Sequence, residues 1–338
     1  MQHPQVVLEC VFSRDAAWRL SDDLPELAAT KVKTCVVAQL QQCLDQFDVV
    51  FLATPVEVSM QLAPSLLAAN IDVIDLSGAF RLSQAQFEQW YEQKHQAVPL
   101  LTQALYGLSP WCFNAAPNMN EPAQLIANPG CYATCALMAL LPLLKAQLIL
   151  KEHIIIDAKS GVSGAGRKAS QALLFCEVDN DFYPYKIGRH QHMPEIAHAI
   201  GLFSSVKADP MMVTHLLPIK RGILVSIYAQ LAKPLQGLTA QALQTKLNKA
   251  FNDAYQNYPL VKFDYLHDIS QEKRLLSLQR VVGSARVHIA YKVVDDQVLI
   301  FACLDNLMKG AASQAIENLN ALLGLPLVTG LLEQEGLL

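Results

Sequence analysis

Three apolar runs with a helical segment between them constrain the fold of this chain most. Residues 6–12, 48–54 and 71–78 are strand candidates dominated by Val, Ile, Leu and Phe, with few breaks in apolar character. Strands read this way when both faces of their sheet are covered, as in a parallel sheet flanked by helices. Residues 59–69 between the last two carry helical spacing, with Pro64 inside. The β-α-β order makes the first third an α/β unit. Later the rhythm changes. Strand candidates lie at 153–158, 211–217, 223–228, 286–291 and 297–302, with Asp295-Asp296 as a hairpin turn between the last two. One long helix, 239–256, interrupts them. Many strands with few helices predict an α+β second unit with a mixed or antiparallel sheet. A closing helix over 307–323 is capped by Asp305 or Asn306 and ended by Gly324 and Pro326.

With 338 residues, two domains are expected. Hydrophobic content of 52% against 17% charged residues excludes a disordered chain. A net charge of −4 with no basic stripe argues against nucleic-acid binding. The longest apolar stretch, 135–150, is interrupted by Pro142 and Lys145 and is too short to span a bilayer. The first residues carry no secretory pattern, and eight scattered cysteines then indicate reduced thiols in the cytoplasm. No cysteine pair has zinc spacing, so no metal is expected.

Cys131 stands apart from the other seven cysteines, which read as packed and inert. It follows a strand end at 124–127 and the turn Asn128-Pro129-Gly130, and it precedes the helical run 136–141. That places its sulfur at a helix N-terminus, where free N–H groups and the dipole favour a nucleophilic thiolate. Three other clusters carry chemistry. The run 157–167, with Ser160, three glycines and Arg167, can wrap donors around an anion. The run 188–196 holds His190 and His192, spaced so that one serves as a proton shuttle and the other structurally. Lys220-Arg221-Gly222 offers cations at a strand turn. Each has a plainer reading: a flexible loop, structural histidines, a solvated turn.

Taken together these runs resemble the N-acetyl-gamma-glutamyl-phosphate reductase family. The resemblance rests on Asp75 to Arg81, Tyr106-Gly107-Leu108, Asn128 to Tyr132, Lys159 to Arg167, the His190 cluster, Arg221-Gly222 and Asp305 to Ala312, in that order along the chain. It implies NADPH-dependent reduction of N-acetyl-L-glutamyl 5-phosphate to the 5-semialdehyde and phosphate, in arginine biosynthesis, through a thioester on Cys131, with His190 exchanging the proton. Ser160, Arg167, His192 and Arg221 are then the substrate-binding candidates. Ser13, Arg14, Thr54, Pro55, Ser77 and Asn306 are the cofactor-binding ones, and Ser13-Arg14 favours NADP over NAD. The implied fold is a Rossmann-type NAD(P)-binding domain, residues 1–130 plus 305–338, and an α+β catalytic and dimerisation domain with a mixed sheet, residues 131–304. A homo-oligomer, dimer or tetramer, is expected through the second sheet.

Two departures accompany the resemblance. Gln191 stands between the histidines where the family often carries Arg. No glycine precedes Gly78, so the first strand and the glycine turn that cradles a pyrophosphate are missing. The expectation is a misassigned or truncated start that leaves two inner strand edges, at 6–12 and 48–54, unpaired. Three other readings stay open: a reductase of aspartyl or carrier-linked aminoadipyl phosphate, a catalytically dead binding subunit, and a Cys–His hydrolase without cofactor.

Overall fold

The computed structural model describes residues 3–28, 30–112, 123–166 and 170–332. In the first half, β1 (Cys10–Ser13) pairs in parallel with β2 (Lys33–Val36), and the one-turn helix α1 (Leu20–Asp23) lies between them in sequence. A second parallel sheet is built from β3 (Val49–Leu52), β4 (Asp72–Asp75), β5 (Leu105–Tyr106) and β6 (Leu125–Ala127), in the order β3-β4-β6-β5. Helices α2 (Val56–Ala68) and α3 (Gln84–Tyr91) connect these strands. The continuous apolar runs end as strands because both faces are covered: Val73 and Ala127 pack in one core with Met60 and Leu66 of α2, and Ile74 and Ile126 in another with a C-terminal helix. The expected first strand is shorter than its apolar run, since pairing begins only at Cys10. Among the described residues β1–β2 and β3–β6 are separate sheets, with no ladder between β1 and β3.

The second half starts with α4 (Cys131–Lys145), buried at every position from Tyr132 to Leu144. A helix that is apolar all round belongs inside a core, and each fully buried Leu there contributes about 1.5–3 kcal/mol of transfer free energy. α4 packs against a seven-stranded mixed sheet. Its strands are β7 (Ile155–Gly161), β8 (Tyr183–Tyr185), β9 (Met211–Leu217), β10 (Ile223–Gln230), β11 (Val261–Tyr265), β12 (Val287–Val294) and β13 (Gln297–Leu304), in the order β11-β12-β13-β10-β7-β9-β8. The predicted hairpin forms, with Val294 opposite Gln297 and Asp295 at positive φ. Helices α6 (His192–Ser204) and α7 (Ala240–Tyr255) join α4 on one face. The short α5 (Phe175–Val178) and α8 (Ile269–Leu276) complete this half. On the opposite face Ile155, Met211 and Tyr228 stay exposed.

Two local differences from the sequence expectation have a clear cause. β7 runs three residues beyond the predicted strand, because Lys159, Ser160 and Gly161 pair with β9 on one side and Lys159 and Ser160 with β10 on the other. What reads as loop in sequence is therefore the centre of a sheet. The final helix does not begin as a regular α-helix. Met308–Ala312 form a π turn, and α9 (Ser313–Leu322) continues from it. Gly310 N–H reaches Asp305 O at 2.9 Å and Ala312 N–H reaches Leu307 O at 2.9 Å, both spanning five residues. Among the described residues no helix is long and apolar enough to cross a membrane.

Candidate active site at the junction of the two sheets

β6 ends at Ala127, and the Asn128 N–H donates to Asp75 O at 2.8 Å, keeping the chain on the sheet for one more residue. Pro129 and Gly130 then turn it into α4. Gly130 is the N-cap, with φ −70° and ψ 152°, and Cys131 is the first helical residue. Any residue could adopt that backbone; glycine is required by space. A Cβ on Gly130 would lie 2.1 Å from His192 Nε2. A Cβ on Gly310 of the π turn would lie 2.7 Å from Cys131 Cβ. Bare backbone therefore lets the imidazole close on the turn at Gly130 and the π turn close on the cysteine.

The thiol is at the predicted helix start, yet the predicted thiolate does not follow. Burial pushes the Cys131 thiol up to about 11, and Glu195 adds to this; the Tyr132 N–H and the Arg81 guanidinium oppose it without winning. Desolvation of the charged form outweighs the helix terminus. Burial thus favours the thiol form of the sulfur.

A buried carboxylate, which sequence reasoning left without a role, fixes the turn. Glu195 Oε1 accepts from Gly130 N–H and from Tyr106 Oη–H, both at 2.7 Å, and Oε2 faces Arg81 Nη1 at 3.3 Å. Arg81 also donates to Asn128 O and Leu76 O, each at 2.8 Å. Glu195 and Arg81 are 1% and 7% exposed, so the pair is shielded from solvent. Because Glu195 sits on α6, this clamp ties the cysteine turn to the helix that follows the histidines. The only sequence signals were a glutamate one turn into a helix and an arginine in a motif-bearing loop.

His190 precedes α6 and His192 opens it. Their rings meet edge to face at 4.7 Å, and Tyr132, next to the cysteine, packs against both, at 5.2 Å and 5.9 Å. His192 N–H donates to His190 Nδ1 at 3.2 Å, which assigns the His190 proton to Nε2. Burial first, then His192 and Lys186, push the His190 imidazole down to about 2. Burial, Arg81 and Lys186 hold His192 well below its ordinary value as well. Both shifts disfavour the imidazolium form, and with Nδ1 accepting, His190 presents an Nε2–H rather than a free base.

The anion-binding candidates line the neighbouring strand ends. Ser160 is buried near the end of β7 and donates to Gly161 O at 3.0 Å. Arg221 Nη2 pairs with the fully buried Asp305 at 3.1 Å, and its Nε has no partner. Asp305 also accepts from Gly283 and Leu307 N–H, each at 2.8 Å. Asn306 takes Gly222 N–H at 2.7 Å and donates to Ser163 Oγ at 3.0 Å. Its amide thus stitches the 222 turn to the 163 turn from inside the protein. Arg167 lies outside the described residues.

Thr54-Pro55 and Ser77 stand at the C-terminal ends of β3 and β4, the same end of that sheet at which β6 delivers Cys131, while Ser13-Arg14 stand at the C-terminal end of β1 in the separate two-stranded sheet. Ligands of open parallel sheets bind outside those ends. Thr54 and Ser59 hydroxyls meet at 2.8 Å, and Ser77 Oγ donates to Asp75 at 2.8 Å. Burial raises the Asp75 carboxyl, while Ser59 and Ser77 hydrogen bonds restrain it. The residue types suit a nicotinamide dinucleotide: the Ser13 hydroxyl and Arg14 cation match an adenosine phosphate, and the Thr54 and Ser77 hydroxyls lie at the sheet end that carries Cys131. That end offers no glycine cradle for the pyrophosphate. Among the described residues no cluster of His, Cys, Asp and Glu could hold a metal ion.

Comparison with known proteins agrees with this geometry. Residues 1–118 match the family described as semialdehyde dehydrogenase, NAD binding domain, and residues 131–306 match semialdehyde dehydrogenase, dimerisation domain. An N-acetyl-gamma-glutamyl-phosphate reductase of Bacillus cereus (strain AH187) is 36% identical, the alignment covering 98% of this chain and 92% of the relative. One of Geobacillus thermodenitrificans (strain NG80-2) is 37% identical over 97% and 92%. Among solved structures, aspartate semialdehyde dehydrogenase II from Vibrio cholerae superimposes with a TM-score of 0.60 at 16% identity, covering 87% of this chain and 84% of that one. That likeness concerns the fold. A strand–turn–helix delivering a cysteine to the C-terminal edge of a parallel sheet, matched along nearly its whole length by such relatives, makes this chain a member of the N-acetyl-gamma-glutamyl-phosphate reductase family of semialdehyde dehydrogenases.

Proposed function

We propose that this chain reduces N-acetyl-L-glutamyl 5-phosphate to N-acetyl-L-glutamate 5-semialdehyde and phosphate, with NADPH as reductant, in the arginine branch of amino-acid biosynthesis. The observation that carries the reading is Cys131 as the first residue of α4, at the C-terminal edge of the parallel sheet, with both histidines packed against its neighbour Tyr132. Cys131 is the nucleophile. Its sulfur attacks the acyl carbonyl, the carbon–oxygen bond to phosphate breaks, and the thiol proton leaves with the phosphate. The product is a thioester, more open to hydride than a carboxylate. A protonated resting thiol suits this order, because proton and leaving group depart together. NADPH supplies the hydride. His190, with its proton on Nε2, donates a hydrogen bond to the oxygen that gains charge, and as the aldehyde forms the departing sulfur takes up one proton from solvent, relayed through this histidine.

Ser160, Arg167, His192 and Arg221 hold the substrate's carboxylate and phosphate. Ser13, Arg14, Thr54, Pro55 and Ser77 meet the cofactor, and Asn306 joins them by shaping the wall beside it. Residues 1–130 with 305–338 form the cofactor-binding domain, and 131–304 the catalytic domain. The exposed sheet face of Ile155, Met211 and Tyr228 makes the contact of a homo-oligomer. The enzyme works in the cytoplasm.

The test is phosphate-dependent reduction of NADP with N-acetyl-L-glutamate semialdehyde, by the parent chain and by Cys131→Ser. Turnover by the parent and none by the variant is the expected result. Equal turnover by the variant would overturn the thioester route; turnover with aspartate semialdehyde alone would overturn the substrate.

A further inference from the structure

Lys309 is a lysine with no exposed surface, in the middle of the π turn. Its ammonium contacts Tyr258 Oη at 2.6 Å, Gln314 Oε1 at 2.7 Å, and both oxygens of Glu317 at 2.7 and 2.9 Å. Glu317 is equally buried and accepts from Tyr258 Oη–H. Gln314 Nε2 continues the network to Gly107 O at 3.1 Å, beyond the end of β5. None of these groups touches the proposed reacting atoms. A buried ion pair is seldom the most stable filling for such a space, since apolar residues of similar volume do as well or better. Its gain is direction: charge and hydrogen bonds fix one arrangement where apolar packing would admit several.

The residue after Lys309 shows what that arrangement serves. Gly310 is the point where the π turn touches the cysteine; its absent Cβ would stand 2.7 Å from Cys131 Cβ and 3.2 Å from Cys131 Cα. A π turn holds one residue more than an α turn and is rare beside the regular form. Each residue turns the helix by about 100°, so a one-residue slip would present Lys309 or Ala311 in place of Gly310. Either carries the Cβ for which there is no room. The turn is fastened at both ends: Asp305 takes the Leu307 and Met308 N–H groups at 2.8 and 3.1 Å, and Ala311 O accepts from Asn128 Nδ2 at 3.3 Å. Lys309 is the fastening between them.

We propose that Lys309, paired with Glu317, is a positioning residue for Cys131: it locks the π turn in the one register that sets glycine against the cysteine.

Thiol reactivity in the full-length protein without ligands tests this apart from the proposed reaction. The double variant Lys309→Met/Glu317→Leu removes both charges and keeps an apolar filling. Iodoacetamide labelling is followed over pH and resolved by peptide, with exposed Cys176 as reference and buried Cys135 and Cys303 as controls. The expected result is a folded variant in which the Cys131 labelling rate, relative to Cys176, changes about tenfold or more, as ångström-scale misplacement does. Its pH midpoint also departs from the one recorded for the parent in the same assay. Cys135 and Cys303 stay as slow as in the parent. An unchanged Cys131 rate and midpoint in the folded variant overturns the proposal. So does a gain in which Cys131 and the buried Cys135 and Cys303 rise together, which would mean general loosening. If the double variant does not fold, Lys309→Met alone is read in the same way, since burial already raises the Glu317 carboxyl and favours its neutral form.

Discussion

Gly130→Ala isolates the contact between the cysteine turn and His192. The backbone at 130 lies in a region open to alanine, so strain in φ and ψ plays no part. The whole effect comes from one methyl group meeting one ring. That methyl would stand 2.1 Å from His192 Nε2, and 2.5 and 2.6 Å from two ring carbons. Returning the ring to an ordinary 3.4 Å contact means moving it by 3.4 − 2.1, about 1.3 Å. The ring has little room to yield, because His190 and Tyr132 pack against it. Forcing a methyl into such a site costs about 1–3 kcal/mol. A shift of this size beside the nucleophile lowers kcat/KM by about 10²-fold. Chemical denaturation of the parent, Gly130→Ala, His192→Ala and the double variant checks the stability part. Removing the ring should relieve the alanine, so the two changes couple by about 1–3 kcal/mol in the favourable direction. Additive changes, or a Gly130→Ala protein with the parent's kcat/KM, would refute the contact as the reason for glycine.

Three further outcomes are expected. Glu195→Ala leaves Arg81 as a buried unpaired cation and frees the Gly130 N–H, so it should lower unfolding free energy by about 3–5 kcal/mol in a denaturant titration; a loss under 1 kcal/mol would rule out the clamp. The Cys131 thiol is raised from 9.0 to about 11 in the folded state, so its share of stability is full below pH 9 and is lost as pH rises to 11; the stability difference between parent and Cys131→Ser should shrink across that window, and a constant difference would contradict the burial. His190→Asn should reduce turnover more than His192→Asn, because His190 carries the available N–H; the reverse order in steady-state kinetics would move the proton to His192.

Much of the site was legible because short-range chemistry writes itself into the chain. Apolar runs of strand length and their helical spacing imposed a parallel sheet, since such runs are stable only with both faces covered. Asn128-Pro129-Gly130 forced a turn wherever it stood, so Cys131 at a helix start followed from local rules. Other features depend on which distant segments meet. Glu195 became the clamp of the cysteine turn only when α6 packed on α4, 65 residues from Gly130 in sequence. Lys159 to Gly161 read as loop because their pairing partners lie in β9 and β10, well over 40 residues downstream. The π turn is invisible in a small-residue helix start; it exists because Gly310 has to reach the cysteine. The protonation of Cys131 was decided last and by the fold alone. A helix N-terminus favours the thiolate in sequence, but the packing that surrounds the sulfur removes the water a thiolate needs, and desolvation outweighs the dipole.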